Sequence, residues 1–192
     1  KIASPAFAEN AKIPKIYAKL GGNQRPPLEI SDVPANTKSL VIICHDPDAP
    51  GRDGFYHWTV WNLPSKTTEI TGESLPADAV EGITSRGLPG WGGLQPPFGT
   101  HRYQFYVYAL DTTLDLPSGT KPKELIAALT PHIISQAVLT GKFGVLDILG
   151  GTHDLVILRI SYPVETWWIL NNYTDTTSYL IIFCKLAFDS YD

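Results

Sequence analysis

The sequence has no run of basic residues. Its 15 Lys and Arg residues are outnumbered by 19 Asp and Glu residues, which gives a formal net charge of −4. Domains that bind nucleic acid usually carry a clustered basic face. Nucleic acid is therefore not expected as a partner, and any anion that the protein binds must be held by local geometry.

Long apolar segments are also lacking. No stretch reaches the roughly 18–20 apolar residues that span a bilayer, so the sequence predicts no transmembrane segment. The most apolar stretch, residues 179–188, is short and carries Lys185. There is no methionine and no recognisable signal peptide. We expect a cytoplasmic protein, with an exported origin left open.

Cysteine is scarce, since Cys44 and Cys184 are the two in the chain. This number excludes a disulfide-rich scaffold. Cys44 lies in the apolar run 40–44 and is expected to be a small core residue. A Cys44–Cys184 disulfide stays open, because sequence alone does not give the distance between the two residues.

Glycine and proline, in contrast, are plentiful. The 192 residues include 16 of each, and 43% of the chain is hydrophobic. This composition is typical of a globular protein with many turns, which fits a strand-rich fold better than a helix bundle. The length suits one domain with room for an appendage.

Three segments predict the main strands. Residues 39–44 form a continuous apolar and β-branched run that is typical of a strand buried on both faces. Residues 57–63 alternate, which places His57, Thr59 and Trp61 on one face and Trp58, Val60 and Asn62 on the other. Residues 101–110 give the clearest strand, with His101 and Tyr103 on one face.

After residue 111 the apolar spacing changes to four, at Leu125, Leu129 and Ile133, which indicates helix. Because Pro131 interrupts this pattern, we predict two short helices over 121–129 and 131–140, with Gly141 ending the second. Further on, residues 155–160, 166–170 and 179–184 are predicted strands.

Polar side chains lie where the three main strands start or end. Asp46 and Asp48 follow the first strand, His57 begins the second, and His101 and Tyr103 begin the third. If these strands are neighbours, the polar groups converge at one edge of the sheet. Two imidazoles and a phenol form a donor-rich cup that suits phosphate or carboxylate oxygens.

A glycine-rich loop, residues 86–99, precedes the third strand and is expected to offer bare backbone N–H groups to the same ligand. Each of these features also has a purely structural explanation. The aspartates are equally compatible with capping a turn. The histidines and Tyr103 are compatible with ordinary half-buried or core positions, and the loop with a plain surface connection.

Two blocks of sequence resemble the signatures of the phosphatidylethanolamine-binding protein family. The first is Asp-Pro-Asp-Ala-Pro at 46–50, followed by His57-Trp58. The second is Pro-Pro-Phe-Gly-Thr-His-Arg-Tyr at 96–103. The similarity extends from about residue 1 to 144 and is greatest to the bacterial and archaeal branch, the Raf kinase inhibitor-like proteins. Residues 145–192 match nothing in that family.

The resemblance implies a mainly β fold, with a large central β-sheet, a second smaller sheet and short C-terminal helices. It also implies a pocket for phosphate-like groups at the positions that match here. These are Asp46, His57, His101 and Tyr103, with Pro96 and Pro97 in the adjoining loop. A cis peptide bond before Pro50 is a further implication.

Function is expected to be the binding of a small anionic or phosphorylated ligand, with a kinase or protease as a protein partner. The alternative is an ester or phosphoester hydrolase that uses His57 and Asp46. That alternative lacks a Gly-x-Ser-x-Gly motif and an evident nucleophile. A metal site at His45, His57, His101 and Asp46 fits no standard ligand spacing, and no cofactor is expected.

The domain prediction is therefore a ligand-binding domain over 1–144 and an extension of unknown role over 145–192. The extension is rich in large apolar side chains. We expect it to pack on its own domain or on a second subunit, which favours a homodimer.

Overall fold

The computed structural model describes residues 1–72 and 74–148 of the chain. These residues form eight β-strands, two α-helices and two 3₁₀ turns. The strands are β1 (Ile2–Ala3), β2 (Leu28–Ile30), β3 (Ser39–Asp46), β4 (Phe55–Pro64), β5 (Glu69–Ile70), β6 (Val80–Glu81), β7 (Thr100–Leu110) and β8 (Ile133–Gly144). The helices are α1 (Pro122–Leu129) and α2 (Val145–Ile148), and the 3₁₀ turns are Lys15–Tyr17 and Thr130–His132.

Two antiparallel sheets make up the fold. The larger has five strands in the order β6-β4-β3-β7-β8, and the smaller has three in the order β1-β2-β5. The predicted mainly β fold with a large and a small sheet is confirmed. No helix within 1–72 and 74–148 is long and apolar enough to cross a membrane.

The large sheet is buried on both faces, as the apolar run of β3 predicts. One face contributes Leu40, Ile42 and Cys44 to the main core, which the small sheet also joins. The other face contributes Val41 and Ile43 to a second core under α1. Since both faces are covered, β3 reads as a continuous apolar run rather than an alternating one.

The second predicted helix, over 131–140, is wrong. The predicted first helix matches α1, but the segment after the 3₁₀ turn extends as β8 and pairs with β7 along its whole length. The Thr130 hydroxyl donates back to the Ile126 carbonyl in the last turn of α1. Pairing with β7 decides the conformation of Ile133–Gly144, because local preference in such a mixed segment is weak.

Strand β4 departs from simple alternation at two irregularities. Relative to β3, it has one extra residue between Trp58 and Tyr56, and another between Leu63 and Val60. The first irregularity surrounds His57, so the predicted separation of His57 and Trp58 onto opposite faces is wrong. His57 instead packs edge-on against Tyr103, which shares the main core with Trp58. An extra residue in one strand is the means by which a sheet redirects a side chain.

Three other expectations concern the cysteines, the predicted C-terminal strands and the peptide bond before Pro50. Cys44 is completely buried in β3, as predicted, and Cys184 lies outside the described residues. The predicted strands at 155–160, 166–170 and 179–184 also lie outside them. The described residues contain no cis peptide bond, so the implied cis bond before Pro50 is wrong.

Candidate functional site

The polar residues predicted to converge do lie together at one end of the large sheet. Strand β3 lies between β4 and β7 and is antiparallel to both. The C-terminal end of β3 therefore meets the N-terminal ends of its two neighbours. This arrangement brings Asp46 next to His57 and His101. Tyr103 lies two residues beyond His101 on the same face of β7.

Asp46 is the centre of the cluster and is only 2% exposed. Its Oδ2 accepts a hydrogen bond from His101 Nδ1 at 2.7 Å and lies 3.9 Å from His57 Nε2. Its Oδ1 accepts the Asp48 amide at 2.9 Å. The turn-capping role considered from the sequence is thus present together with the contacts to histidine.

The pKa of Asp46 lies below its ordinary value. Burial acts to raise it, because a buried carboxylate loses hydration. The neighbouring His57 and His101 imidazoles and the Asp48 amide stabilise the charged form and outweigh burial. Asp46 is therefore a carboxylate at neutral pH, and it holds the His101 proton on Nδ1.

His57 is 5% exposed and is held from its other side. Its Nδ1 lies 2.5 Å from the Gly92 carbonyl oxygen. Because a carbonyl can only accept a hydrogen bond, Nδ1 must carry the proton. The same holds for His101, whose Nδ1 faces a carboxylate. When neutral, both imidazoles therefore have an unprotonated Nε2.

Tyr103 is completely buried. Burial, followed by the charge of Asp46, raises the pKa of its hydroxyl well above the usual range. The hydroxyl therefore stays protonated and can donate a hydrogen bond. Its ring meets the His57 ring edge-on, with 5.2 Å between the ring centroids.

Three polar atoms of this cluster are buried without a hydrogen-bond partner in the structure. They are His57 Nε2, His101 Nε2 and the Tyr103 hydroxyl oxygen. Buried polar atoms are rarely left unpaired, because each costs about 1–3 kcal/mol. Three of the six such side-chain atoms among the described residues lie around this one carboxylate.

Aromatic side chains wall the cluster. The rings of Phe55 and Trp91 lie 4.6 and 6.3 Å from the His57 ring. Phe98 is 58% exposed and meets the His101 ring edge-on at 5.6 Å. Of the two prolines predicted to border the site, Pro96 is buried and Pro97 is exposed.

Asp48 lies beside the cluster and is bound to β7. Its two carboxylate oxygens accept hydrogen bonds from the Arg102 guanidinium at 2.9 and 2.6 Å. One of them also accepts the Arg102 amide at 2.8 Å. These contacts attach the turn after β3 to the beginning of β7 and fix the distance between Asp46 and His101.

The glycine-rich loop contributes differently from the prediction. Its amides at Gly87, Gly90, Gly92 and Gly93 donate to other protein groups, so they are not the bare donors that were expected. The loop's contribution is instead the Gly92 carbonyl that binds His57. Sequence reasoning missed Gly92, Trp91 and Phe55, and a Trp-Gly-Gly run at 91–93 is too weak a signal to have identified them.

The described residues hold no group of three or more His, Cys, Asp and Glu side chains placed for a metal ion. His45, considered from the sequence, is on the opposite face of β3, where its ring stacks on Tyr56. Burial raises the pKa of the Cys44 thiol well above its usual value, so Cys44 is a poor nucleophile.

Fold and site together define a class: a two-sheet β protein with a polar cluster at one end of its larger sheet. Here three antiparallel strands bring a carboxylate, two imidazoles and a phenol together. Comparison of sequences identifies the family within it. The chain belongs to the phosphatidylethanolamine-binding protein family, whose model matches residues 3–144.

Relatives occur in archaea and bacteria. A UPF0098 protein of Methanothermobacter thermautotrophicus is 38% identical over 143 residues, which are 72% of this chain and 94% of that protein. A UPF0098 protein of Pyrococcus horikoshii, PH1269, is 42% identical over 149 residues, covering 73% of this chain and 74% of that protein. The predicted similarity to the bacterial and archaeal branch is confirmed.

Two solved structures share the fold. The phosphatidylethanolamine-binding protein homologue CT736 of Chlamydia trachomatis has a TM-score of 0.70 and 39% identity, covering 74% of this chain and 95% of its own. The YbcL protein of E. coli, described as a new member of the mammalian family, has a TM-score of 0.72 and 31% identity, covering 76% and 98%.

Proposed function

We propose that the cluster around Asp46 binds a small anionic or phosphorylated ligand. The observation that carries the proposal is the set of three unpartnered buried atoms, His57 Nε2, His101 Nε2 and the Tyr103 hydroxyl. A phosphate oxygen accepts hydrogen bonds from a phenol and from protonated imidazoles. Such charge-assisted bonds are about twice as strong as neutral ones.

The charge of the site supports the same ligand class. His101 Nδ1 lies 2.7 Å and His57 Nε2 lies 3.9 Å from the Asp46 carboxylate, so two potential donors flank one anion at the end of the sheet. Asp48 and Arg102 neutralise each other in a salt bridge at 2.6 Å. The family's name further suggests a phosphorylated headgroup.

Titration calorimetry with inorganic phosphate and with phosphoethanolamine tests the proposal. We expect binding by the wild-type chain, weakened about tenfold or more in His101→Gln and in His57→Gln, since each removes a hydrogen bond to a charged ligand. The matched control is His132→Gln, which alters an exposed histidine that pairs with Asp111 at 2.9 Å. Absence of binding by the wild-type chain, or equal weakening in the control, would refute the proposal.

A hydrolase of esters or phosphoesters is the second candidate. It is favoured by the 2.7 Å contact of His101 with Asp46, the usual relation of a general base to its orienting carboxylate. Among the described residues, however, no serine, threonine or cysteine bonds to either imidazole. We therefore favour binding without turnover. Steady hydrolysis of a nitrophenyl ester or phosphate that disappears in His101→Gln would establish the hydrolase instead.

The proposal includes a protein partner, a kinase or a protease, as the family resemblance implies. Ligand binding at Asp46 would then regulate that contact. Inhibition assays on kinases and proteases with the full chain, in the presence and absence of phosphate, test this part. An effect of the chain that phosphate does not alter would contradict regulation through this site.

A further inference from the structure

The glycine-rich loop, residues 86–99, binds His57, and residues 17–23 bind that loop from its other side. Gly92 bonds to His57 twice, since its amide donates to the His57 carbonyl at 2.8 Å and its carbonyl accepts the Nδ1 proton at 2.5 Å. A Cβ at Gly92 would lie 3.1 Å from the Thr84 methyl carbon, so the loop is closely packed there. The direction of the imidazole therefore depends on where Gly92 lies.

Residues 17–23, called the strap here, bind the same loop at three points. The Lys19 amide donates to the Leu94 carbonyl at 3.0 Å, and the Trp91 indole N–H donates to the Tyr17 carbonyl at 3.2 Å. The third contact is made by a side chain, because Asn23 Oδ1 accepts the Gly93 amide at 2.9 Å. Asn23 is thus the strap's side-chain contact to the residue that follows Gly92.

Asn23 suits this position by its backbone as well. Its φ is 54°, in the left-handed region that asparagine, aspartate and glycine tolerate best. Its own amide donates to the Ala18 carbonyl at 2.9 Å, which fixes the turn. The approach to the loop is close, since a Cβ at Gly93 would lie 2.3 Å from Asn23 Oδ1.

The tautomer of His57 follows from these contacts. While the Gly92 carbonyl stays in place, Nδ1 keeps the proton and Nε2 remains near Asp46, at 3.9 Å from Oδ2. If the carbonyl moved away, the neutral ring would gain by placing the proton on Nε2, where the carboxylate accepts it. The proton position of His101 does not depend on Gly92, because Asp46 holds its Nδ1.

We infer that Asn23 is a positioning residue for the anion site, which keeps the Gly92 carbonyl on His57 and so holds that imidazole in its Nδ1-protonated tautomer. The consequence for ligand affinity rests on the proposed function. The consequence for the tautomer does not, because it is a property of the unliganded protein.

The test uses the full chain and compares Asn23→Gly with Asn23→Asp. Glycine tolerates the left-handed φ but has no acceptor, whereas aspartate keeps both the φ and an acceptor oxygen for the Gly93 amide. Imidazole ¹⁵N–¹H correlation spectra without ligand report the tautomer of each histidine. The matched control is Asn10→Gly, at another left-handed asparagine with φ 61°, whose side chain contacts Glu9.

We expect neutral His57 of the wild type to carry its proton on Nδ1. In Asn23→Gly, a measurable fraction should move to Nε2. Phosphate should then bind about two- to tenfold more weakly, because this N–H bonds to the Asp46 carboxylate instead of to the ligand. Asn23→Asp and Asn10→Gly should match the wild type. His101 should keep its tautomer in every variant and serves as an internal reference.

A wild-type His57 protonated on Nε2, or an unchanged His57 spectrum in Asn23→Gly, would overturn the inference. So would an equal change in Asn10→Gly. If the tautomer shifts as expected but the wild-type chain binds no phosphate, the positioning role stands and the proposed function fails. Gly93→Ala crowds the same contact from the loop side, and it should move His57 in the same direction if Asn23→Gly does not fold.

Discussion

At the scale of single residues, Asp46 sets the charge of the site. The two imidazoles and the Asp48 amide keep its pKa below the ordinary value despite burial, so it is ionised wherever histidine titrates. Phosphate itself changes charge between about pH 5 and about pH 8. The pH dependence that Asp46 adds to the proposed anion binding is therefore read as the difference between the wild type and an Asp46 variant.

We predict that Asp46→Asn leaves the fold intact, weakens phosphate binding and changes its pH dependence. The amide can still accept the hydrogen bond from His101 Nδ1, but it places no negative charge beside the two imidazoles. Calorimetric affinities measured across that pH range give the test. Asp111→Asn, which alters an exposed histidine–aspartate pair, is the control. Identical pH profiles for Asp46→Asn and the wild type would contradict this role.

A substitution at Tyr103 should affect phosphate affinity and the free energy of unfolding differently. Because its buried hydroxyl makes no hydrogen bond of normal geometry, Tyr103→Phe should leave the free energy of unfolding unchanged or raise it by about 1 kcal/mol, while phosphate affinity falls. Denaturant titration and calorimetry measure the two quantities. In the control Tyr106→Phe, a hydroxyl that donates to Gln104 at 3.0 Å is lost, and phosphate affinity should not change. A clear loss of stability in Tyr103→Phe would show that the hydroxyl serves the fold.

Asp48 contributes acid-sensitive stability. Hydrogen bonds from Arg102 lower its pKa to about 2, and partial burial only partly opposes them. A depressed pKa in the folded state means that this contribution is present above the ordinary Asp value and is lost as pH falls towards about 2. Asp48→Asn should therefore lose less stability than the wild type between about pH 5 and about pH 2. Parallel curves for the two proteins would count against this explanation.

At the scale of elements, β8 shows how long-range pairing overrides local pattern. Gly141, predicted to end a helix, instead lies in the strand beneath the N-terminal segment. A Cβ there would lie 2.4 Å from Ile13 Cγ1 and 2.8 Å from Phe7 Cε2. Glycine is needed at this position for a close approach of neighbouring side chains, not for a turn.

We accordingly predict that Gly141→Ala lowers the free energy of unfolding by about 1–3 kcal/mol, the usual cost of overpacking a core. Gly119→Ala is the matched control, since a Cβ at Gly119 would contact nothing within 4 Å. Chemical denaturation of both variants provides the comparison. Equal stability of the two would mean that β8 does not pack against Ile13 and Phe7 as described.

At the scale of the whole molecule, the start of the C-terminal extension contacts the domain. In α2, the Asp147 carboxylate accepts the Gly144 amide at 2.7 Å and pairs with Lys12 at 2.5 Å. Ile148 packs against the main core, and the Val145 amide donates to the Gly99 carbonyl at 3.0 Å. Residues 145–148 therefore belong to the structure of the domain, next to the loop that carries Phe98.

Truncation tests the role of the extension. We predict that a chain ending at residue 144 is less stable than one ending at 148, because it lacks these contacts. Residues 149–192 lie outside the described residues, and their apolar composition alone predicts that they cover surface on the domain or on a second subunit. Light scattering of the full chain and of the chain ending at 148 should then show a change in association state or solubility. If the two behave alike, both the packing and the homodimer predictions fail.

Much of this protein was determined by the sequence itself. The apolar run at 39–44 predicted β3, because a strand buried on both faces needs such a run. The pattern at 101–110 predicted β7. The signature blocks at 46–50 and 96–103 predicted the family, and the three strand ends predicted where polar groups would meet.

The tertiary structure alone decided the rest. Whether residues 133–144 became helix or strand depended on β7, which offers hydrogen-bond partners along the whole segment. These partners are distant in sequence, so the local pattern does not reveal them. The side of the sheet that His57 faces depended on an extra residue in β4. A prediction from alternation assumes a regular strand without such a residue. The proton position on His57 depended on the Gly92 carbonyl, which is 35 residues away in sequence and is brought to 2.5 Å only by folding.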